Sequence, residues 1–491
     1  LNATGCGIGF LASPAAGFLE KVMKTKLTAL ALLVALAEAC AAGKEFNSEE
    51  LQRRTIERRA VEAVIWGMPA VNTDQMRQEM FRKTTGRENE VLYWSRPADA
   101  NNQTLTPNPD CIYFMTFYNT KNVGPVVIEL PPADAGSFAG SIMTFWQMPM
   151  ADVGPDGADK GQGGKYLVLP PDFKGDVPEG YIVLKSDTYA GYALLRSNLK
   201  SHSNEDIAKA NDYGKRTKVY PLSAAAKPPA IKFSDASHVL FDSTIRYDVS
   251  FFENLNRVVQ NEPWIDRDRV MIDHLKSIGI EKGKPFNPDA ATKRVLTAAI
   301  SEARALLEAR YEAGMPEYNP GIHWTLPAMP DVIASYRTSY GEPNAYPVDS
   351  RGLGYTYAFV GIRNLGAAQF YLISIKDKDG RPYEGNKTYR LRVPANAPVK
   401  QYWSITAYDR QIHTIIKGLP YASRSSQIPD LQKSADGSVD IYIGPEPPKG
   451  KKANWLPTDP KRRFDLMFRF YGPTPELFNK TWKLPDVERV K

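Results

Sequence analysis

"RVPANAPVKQYWSITAYD", Arg392 to Asp409, repeats the texture of "ELPPADAGSFAGSIMTFWQ", Glu129 to Gln147: a charged strand end, a proline-rich turn, then an apolar and aromatic run. Laid together, the two put Thr144 and Trp146 opposite Thr406 and Tyr408. Two later segments repeat in the same order. "KYLVLPPDF" parallels "DIYIGPEPP", and "YALLRS" parallels "DLMFRF" with Arg196 opposite Arg469. Short apolar runs bounded by Gly, Pro and Asp read as strands joined by turns. A conserved segment order with differing gaps points to a diverged duplication, in which two β-sandwich or jelly-roll-like units share one topology.

Composition agrees with that class. The chain has 491 residues, more than one core usually serves, and its 38 Pro, 35 Gly, 25 Tyr and 20 Phe favour many short strands. Between the β regions the texture is helical: "VSFFENLNRVVQNEP", "DRDRVMIDHLKSIGI" and a long segment from Asp289 to Gly314 carry apolar residues three and four apart. Residues 50–82 read as two helices separated at Pro69. The expected fold is therefore mixed and β-dominated (α+β), with a leader and signal peptide at 1–44, a helix-led β domain at 45–205, a helical connector at 206–345 and a second β domain at 346–491. The connector is expected to brace the β units.

Lys24 and Lys26, the apolar run Leu27 to Leu36 and the small residues Ala37 to Ala42 have the order of a secretory signal peptide. Translation is expected to start at Met23, since codons for Leu19 to Val22 can hold a ribosome-binding sequence. The expected location is the periplasm or outside the cell; anchoring through a lipidated Cys40 is the less favoured course, because Ala37 and Glu38 fit a lipobox poorly. No later run is long enough to span a bilayer. With Cys6 in the leader, Cys40 at the cleavage region and Cys111 alone in the body, no intrachain disulfide framework is expected.

Formal charge is +7, and the basic residues Lys449, Lys451, Lys452, Lys461, Arg462 and Arg463 flank a Pro- and Gly-rich loop without an aromatic platform, so no nucleic-acid site is read there. The five histidines, His202, His238, His274, His323 and His413, form no H-x-x-x-H or H-x-H pair, and neither a metal nor a cofactor is expected. A homo-oligomer is compatible with the sequence.

Candidate site residues begin with "TPNPDCIYF", Thr106 to Phe114. Pro107 and Pro109 stiffen the chain around Asn108 and Asp110, either to lock an Asx turn ahead of a buried strand or to aim a carboxylate. Cys111 reads as a buried small hydrophobe. In "KTYRLRV", Tyr389, Leu391 and Val393 alternate with Arg390 and Arg392, a strand with one buried face; in "FDLMFRF" a face of Phe and Leu opposes one with Asp465, Met467, Arg469 and Tyr471.

"TPNPDCIYF" followed by "GPVVIELPP" resembles the start of domain of unknown function 1254, with Cys111 where that family usually has Thr. "RLRVPANAPVKQYWSITAYD", "SADGSVDIYIGPEPP", "NWLPT" and "FRFYGPTPELFNKTWKLPDVERV" resemble domain of unknown function 1214. "FFENLNRVVQNEP" and "LKSIGIEKGKPFN" are similar to the helical connector of proteins that carry both. The departure is at "GLPYASRSSQIPD". The resemblance implies an exported bacterial protein with two jelly-roll-like domains, and it implies no catalytic set.

Two functions follow as expectations. An envelope hydrolase or lyase acting on a glycan or similar polar ligand would use Asp110 and Asp409 as carboxylates, with Tyr113, Trp146, Trp403, Tyr408 and Trp455 as ligand-binding aromatics. A non-catalytic binding or assembly module would use Asn108 and Asp110 as turn caps, with Arg196 and Arg469 holding strand ends or an anionic ligand. Convergence of Asp110 with a second carboxylate in an open cleft discriminates the two.

Overall fold

The computed structural model describes residues 47–358, 363–364 and 368–490. The signal-peptide reading, Cys6 and Cys40 lie outside the described residues. The chain divides into two compact units, Leu1–Thr55 and Ile56–Lys491, and apart from the first two turns of its opening helix the architecture below belongs to the second.

Helix α1 (Ser48–Lys83) leads into β1 (Val91–Tyr93), β2 (Asn102–Gln103), β3 (Cys111–Asn119), β4 (Val126–Leu130), β5 (Phe138–Thr144), β6 (Pro149–Val153), β7 (Gly164–Leu169), β8 (Ile182–Lys185) and β9 (Ala190–Asn198). After α2 (Asn204–Gly214) come β10 (Lys218–Pro221), β11 (Phe233–Asp235) and β12 (Phe241–Asp242). The helical stretch is α3 (Ser250–Asn261), α4 (Met271–Ser277), α5 (Ala290–Ala313), α6 (Pro330–Arg337) and α7 (Val348–Tyr357). The chain closes with β13 (Gln369–Ser374), β14 (Thr388–Val393), β15 (Val399–Asp409), β16 (Ser423–Ser425), β17 (Val439–Gly444), β18 (Trp455–Pro457), β19 (Phe464–Pro473), α8 (Pro475–Phe478) and β20 (Glu488–Val490).

Two repeats stand out in the sheet order. One sheet of the first repeat contains β3-β9-β5-β6, extended by β1 and β11, and its partner runs β10-β4-β7-β8. The second repeat has β13-β19-β15-β16 and β20-β14-β17-β18. Each strand of the second repeat thus stands where the strand numbered ten lower stands in the first. Orientations agree too, including the parallel pairs β7/β8 and β17/β18 within otherwise antiparallel sheets. The fold is mixed α+β and β-rich, with open sheets.

Register refines the sequence alignment. Arg196 pairs with Tyr113 on β3 and Ala139 on β5, and Arg469 pairs with Tyr371 on β13 and Ser404 on β15. Equating Ala139 with Ser404 makes Met143 the counterpart of Tyr408 and Thr144 the counterpart of Asp409, so the Thr144/Thr406 and Trp146/Tyr408 matches are out by three residues. Aromatic texture alone drew those matches, and β15 carries a register irregularity between Val399 and Tyr402 that texture does not reveal.

Each repeat has its own sandwich core, with Ile112, Phe114, Val168 and Leu195 in one and Leu391, Ile405, Ile441 and Phe468 in the other. The reverse faces of the larger sheets join a third cluster with the helices, in which Tyr113, Met115, Leu194, Ile373 and Met467 meet Trp66, Leu255, Ile300 and Tyr355. β19 is consequently buried on both faces except at Gly472, which is why its polar face does not meet bulk solvent. β14 behaves as its alternation predicts: Tyr389, Leu391 and Val393 are buried and Arg392 is exposed.

Residues 48–83 form one continuous helix with Pro69 inside it, not two. Proline in a helix interior costs about 3 kcal/mol, but Ala63 to Arg77 is buried throughout, and that packing outweighs a local penalty. The Pro69 carbonyl accepts from Thr73 Oγ1 at 3.1 Å and from Gln147 Nε2 at 2.7 Å. Helix α5 matches its sequence signals: Asp289 accepts the Thr292 N–H at 2.7 Å, and Gly314 ends the helix at φ +96°.

Candidate functional site

The repeated register sets the site. Arg196 on β9 lies beside Tyr113, its guanidinium 5.6 Å from the ring centre, and Arg469 on β19 lies beside Tyr371 at 5.1 Å. Both pairs face one cavity between the repeats. Tyr113, Met115, Leu194 and Arg196 line it from the first, and Gln369, Tyr371, Met467 and Arg469 from the second. Residues 104–108 and 326–328 complete the wall. The cavity's volume is about 60 Å³, enough for a small molecule of a few heavy atoms. The lining is largely aliphatic and aromatic and, among the described residues, includes no carboxylate.

The two arginines are not equivalent. Arg469 is buried; its Nη1 donates to Thr406 Oγ1 at 2.9 Å, and its Nη2 donates to the Thr106 carbonyl at 3.1 Å and to Tyr408 Oη at 2.5 Å. Tyr408 in turn donates to the Pro107 carbonyl at 2.7 Å. Arg469 therefore ties β19 to the "TPNPD" segment. Arg196 makes no hydrogen bond or ion pair with any described residue, and its Nε is buried without a partner. Arg196 is half-buried, and a charge withdrawn from water without a counter-charge is costly unless something supplies one.

Thr106, on the cavity wall, holds φ +38°, an uncommon conformation for a β-branched residue. It is pinned by its N–H donating to the His413 carbonyl at 2.7 Å. Asn108 caps the turn: its Oδ1 accepts the Asp110 N–H at 3.1 Å, and its Nδ2 donates to Tyr471 Oη. The Asp110 carboxylate serves a different purpose from its neighbour. Ser423 Oγ on β16 donates to Oδ2 at 2.8 Å, and His202 Nε2 lies 3.1 Å from Oδ1, so Asp110 links the two repeats. That hydrogen bond, opposed by partial burial, raises the His202 pKa. Cys111 beside it is fully buried, and burial pushes its thiol up to about 12, leaving it a poor nucleophile at neutral pH.

The remaining candidates lie elsewhere. Asp409 is paired with Arg462 and lines an open groove with Arg410, Arg463 and Glu312. Asp110 lines neither that groove nor the arginine cavity. Trp146 packs on Trp66 with ring centres 4.4 Å apart, and Trp403 stacks on Phe468 at 5.4 Å, both inside cores. Trp455 is partly exposed, its Nε1 donating to the Gly444 carbonyl at 2.8 Å. The structure thus brings Asn108, Tyr113, Arg196 and Arg469 to one cavity, sets Tyr408 behind it as a support, and leaves Asp409 and the tryptophans away from it. Sequence reading missed Gln369, Tyr371 and Met467; extending the repeat to β13 would have paired Tyr371 with Tyr113.

Residues 88–221 match the family described as "Protein of unknown function (DUF1254)", and residues 368–475 match "Protein of unknown function (DUF1214)". No curated protein matches the chain. Among solved structures, the VPA0106 protein from Vibrio parahaemolyticus has 19% identity and a TM-score of 0.54, over 89% of this chain and 100% of that one. A putative uncharacterized protein from Burkholderia cenocepacia has 9% identity and a TM-score of 0.40, over 89% of this chain and 94% of that one. The first likeness is one of fold. The chain thus carries a region that matches DUF1254 followed by a region that matches DUF1214.

Proposed function

We propose that the cavity between the repeats binds a small anion with a short apolar body, and that the protein is a binding module for such a ligand. The observation that carries this reading is Arg196, a guanidinium with no hydrogen-bond or ion-pair partner among the described residues, in a largely apolar cavity whose described lining has no carboxylate. A carboxylate is the simplest ligand to fit: it satisfies the fork of Arg196 with two charge-assisted hydrogen bonds, while a chain of two to four carbons lies on Met115, Leu194 and Met467. Arg469, already bonded, adds positive potential and holds the wall.

The paired-carboxylate hydrolase has less support. Glycoside hydrolysis needs two carboxyl groups flanking one bond, whereas Asp110 and Asp409 are each committed to a cationic or hydroxyl partner and line no shared cavity. Export from the cytoplasm, read from residues 23–42, would place the cavity where small exogenous acids are met.

Calorimetric titration with acetate, propionate, butyrate and hexanoate, and with the matching alkyl amides, tests the proposal. Saturable binding of the short acids, absent with the amides and lost in Arg196→Met, is expected. Equal heats for acids and amides, or undiminished binding in Arg196→Met, would refute it.

A further inference from the structure

A second cavity, of about 180 Å³, lies across the Leu105 wall from the first. Its lining includes Thr244, Tyr247, Arg304, Thr356, Arg410 and His413. The repeat supplies an internal control for what His413 does there. In the first repeat the turn after β5 ends at Gln147, φ +60°; in the second the turn after β15 ends at His413, φ +50°. The side chains at these matched places contact matched residues on the next strand. Tyr192 Oη donates to Gln147 Oε1 at 2.6 Å, and His413 Nδ1 lies 3.1 Å from Asp465 Oδ2, where Asp465 is the register counterpart of Tyr192.

The two pairs differ in what they leave free. Gln147 is fully enclosed, and its Nε2 is spent on the Pro69 carbonyl at 2.7 Å. The fold is therefore satisfied at this position by a neutral, inert pair. In the second repeat a buried carboxylate and an imidazole replace it. Asp465 is held by Tyr311 Oη at 2.9 Å and by the charge of Arg410, whose Nε is 3.4 Å away. A carboxylate only accepts, so in the neutral imidazole Nδ1 carries the proton and Nε2 keeps its lone pair. No described residue bonds Nε2, and His413 lines the cavity.

We infer that His413, positioned by Asp465, is a general-base site for the hydrolysis of a small uncharged ester in this second cavity. Arg304 pairs with Glu308 and Arg410 with Glu312, each at 2.8 Å, so the cations there are already neutralised and a neutral substrate suits the site. In the step, Nε2 takes a proton from water as the water oxygen bonds to the acyl carbon. Asp465 stabilises the imidazolium that forms. The bond from the acyl carbon to the alkoxy oxygen then breaks, and the departing oxygen takes the proton from Nε2, giving acid and alcohol. His413 is the catalytic residue and Asp465 a positioning residue.

The test uses the intact protein and two uncharged esters. Diethyl pyrocarbonate, read by mass spectrometry at each histidine, should label buried His413 at least as fast as exposed His238, and about tenfold more slowly in Asp465→Asn while the rate at His238 is unchanged. Hydrolysis of 4-nitrophenyl acetate should fall about tenfold in His413→Asn, a residue that tolerates the left-handed backbone. His413 labelled more slowly than His238 in the wild type, labelling indifferent to Asp465, or ester hydrolysis unchanged in His413→Asn each overturns the inference; the wild-type ranking needs no variant to fold.

Discussion

Replacing each of the two repeat-related arginines by methionine should have effects of opposite sign. Methionine keeps the unbranched stem of arginine and removes the charge. At Arg469 the change deletes hydrogen bonds to Thr406 Oγ1, the Thr106 carbonyl and Tyr408 Oη, leaving buried acceptors unpaired. Bonds to a charged donor contribute about 1.5–3 kcal/mol each, and breaking such a buried cluster costs about 3–5 kcal/mol in all. At Arg196 no hydrogen bond is lost. What goes is a cation–π contact with Tyr113, worth about 1 kcal/mol, while relief from partly burying an uncompensated charge returns about 2–3 kcal/mol. Arg196→Met is thus expected to stabilise by about 1–2 kcal/mol and Arg469→Met to destabilise by about 3–5 kcal/mol. Urea unfolding at pH 7 without added organic acids, compared at constant slope, measures both. A loss of more than about 1 kcal/mol in Arg196→Met, or equal losses in the two variants, would refute the assignment of Arg196 to a ligand and make it a structural tie.

Three further outcomes follow from named groups. Burial raises the Glu262 pKa from 4.5 to about 7, although the N–H groups of Tyr189 and Ala190 bond its carboxylate. An acid with a raised folded pKa favours protonation in the folded state, so stability falls as pH rises from 4.5 to about 7, by about 3 kcal/mol at most; Glu262→Gln should flatten that fall in urea titrations run from pH 5 to 8. His202 also has a raised folded pKa, through Asp110. Its contribution is complete below the unfolded value of about 6.5 and is lost as pH rises through the folded value, so His202→Gln should remove a step in the melting temperature above pH 6.5 and leave Arg196-dependent binding intact. A Cβ on Gly140 would stand 2.0 Å from the Leu194 carbonyl oxygen across the β5/β9 pair; Gly140→Ala should cost about 2–4 kcal/mol, and an unchanged unfolding midpoint would show that the strands can separate there.

Much of this architecture was legible in the sequence because the duplication preserved segment order. Arg196 and Arg469 aligned correctly, since "YALLRS" and "DLMFRF" are single uninterrupted strands. Thr144 and Trp146 aligned wrongly because they were matched by texture, and a hydrogen-bond ladder, unlike a texture match, tells one residue from the next. Pro69 was read as a break because local propensity is all a sequence displays; the burial of α1 on every side from Ala63 to Arg77 is a tertiary fact. For Asp110, the prolines announced a fixed position but not its partners, Ser423 and His202, which lie far along the chain. The face of β19 that carries Asp465, Met467, Arg469 and Tyr471 reads as amphipathic, which leaves its direction open. It turns inward, where Arg469 faces one cavity and Asp465 supports His413 beside the other.

A crystal structure of the protein grown with propionate tests the central proposal most directly. Difference density is expected in the cavity between the repeats, with carboxylate oxygens about 2.7–2.9 Å from the Nη atoms of Arg196 and the ethyl group against Met115 and Leu194. A cavity empty of propionate, with the Arg196 guanidinium instead bonded to a protein carboxylate or carbonyl, would contradict it.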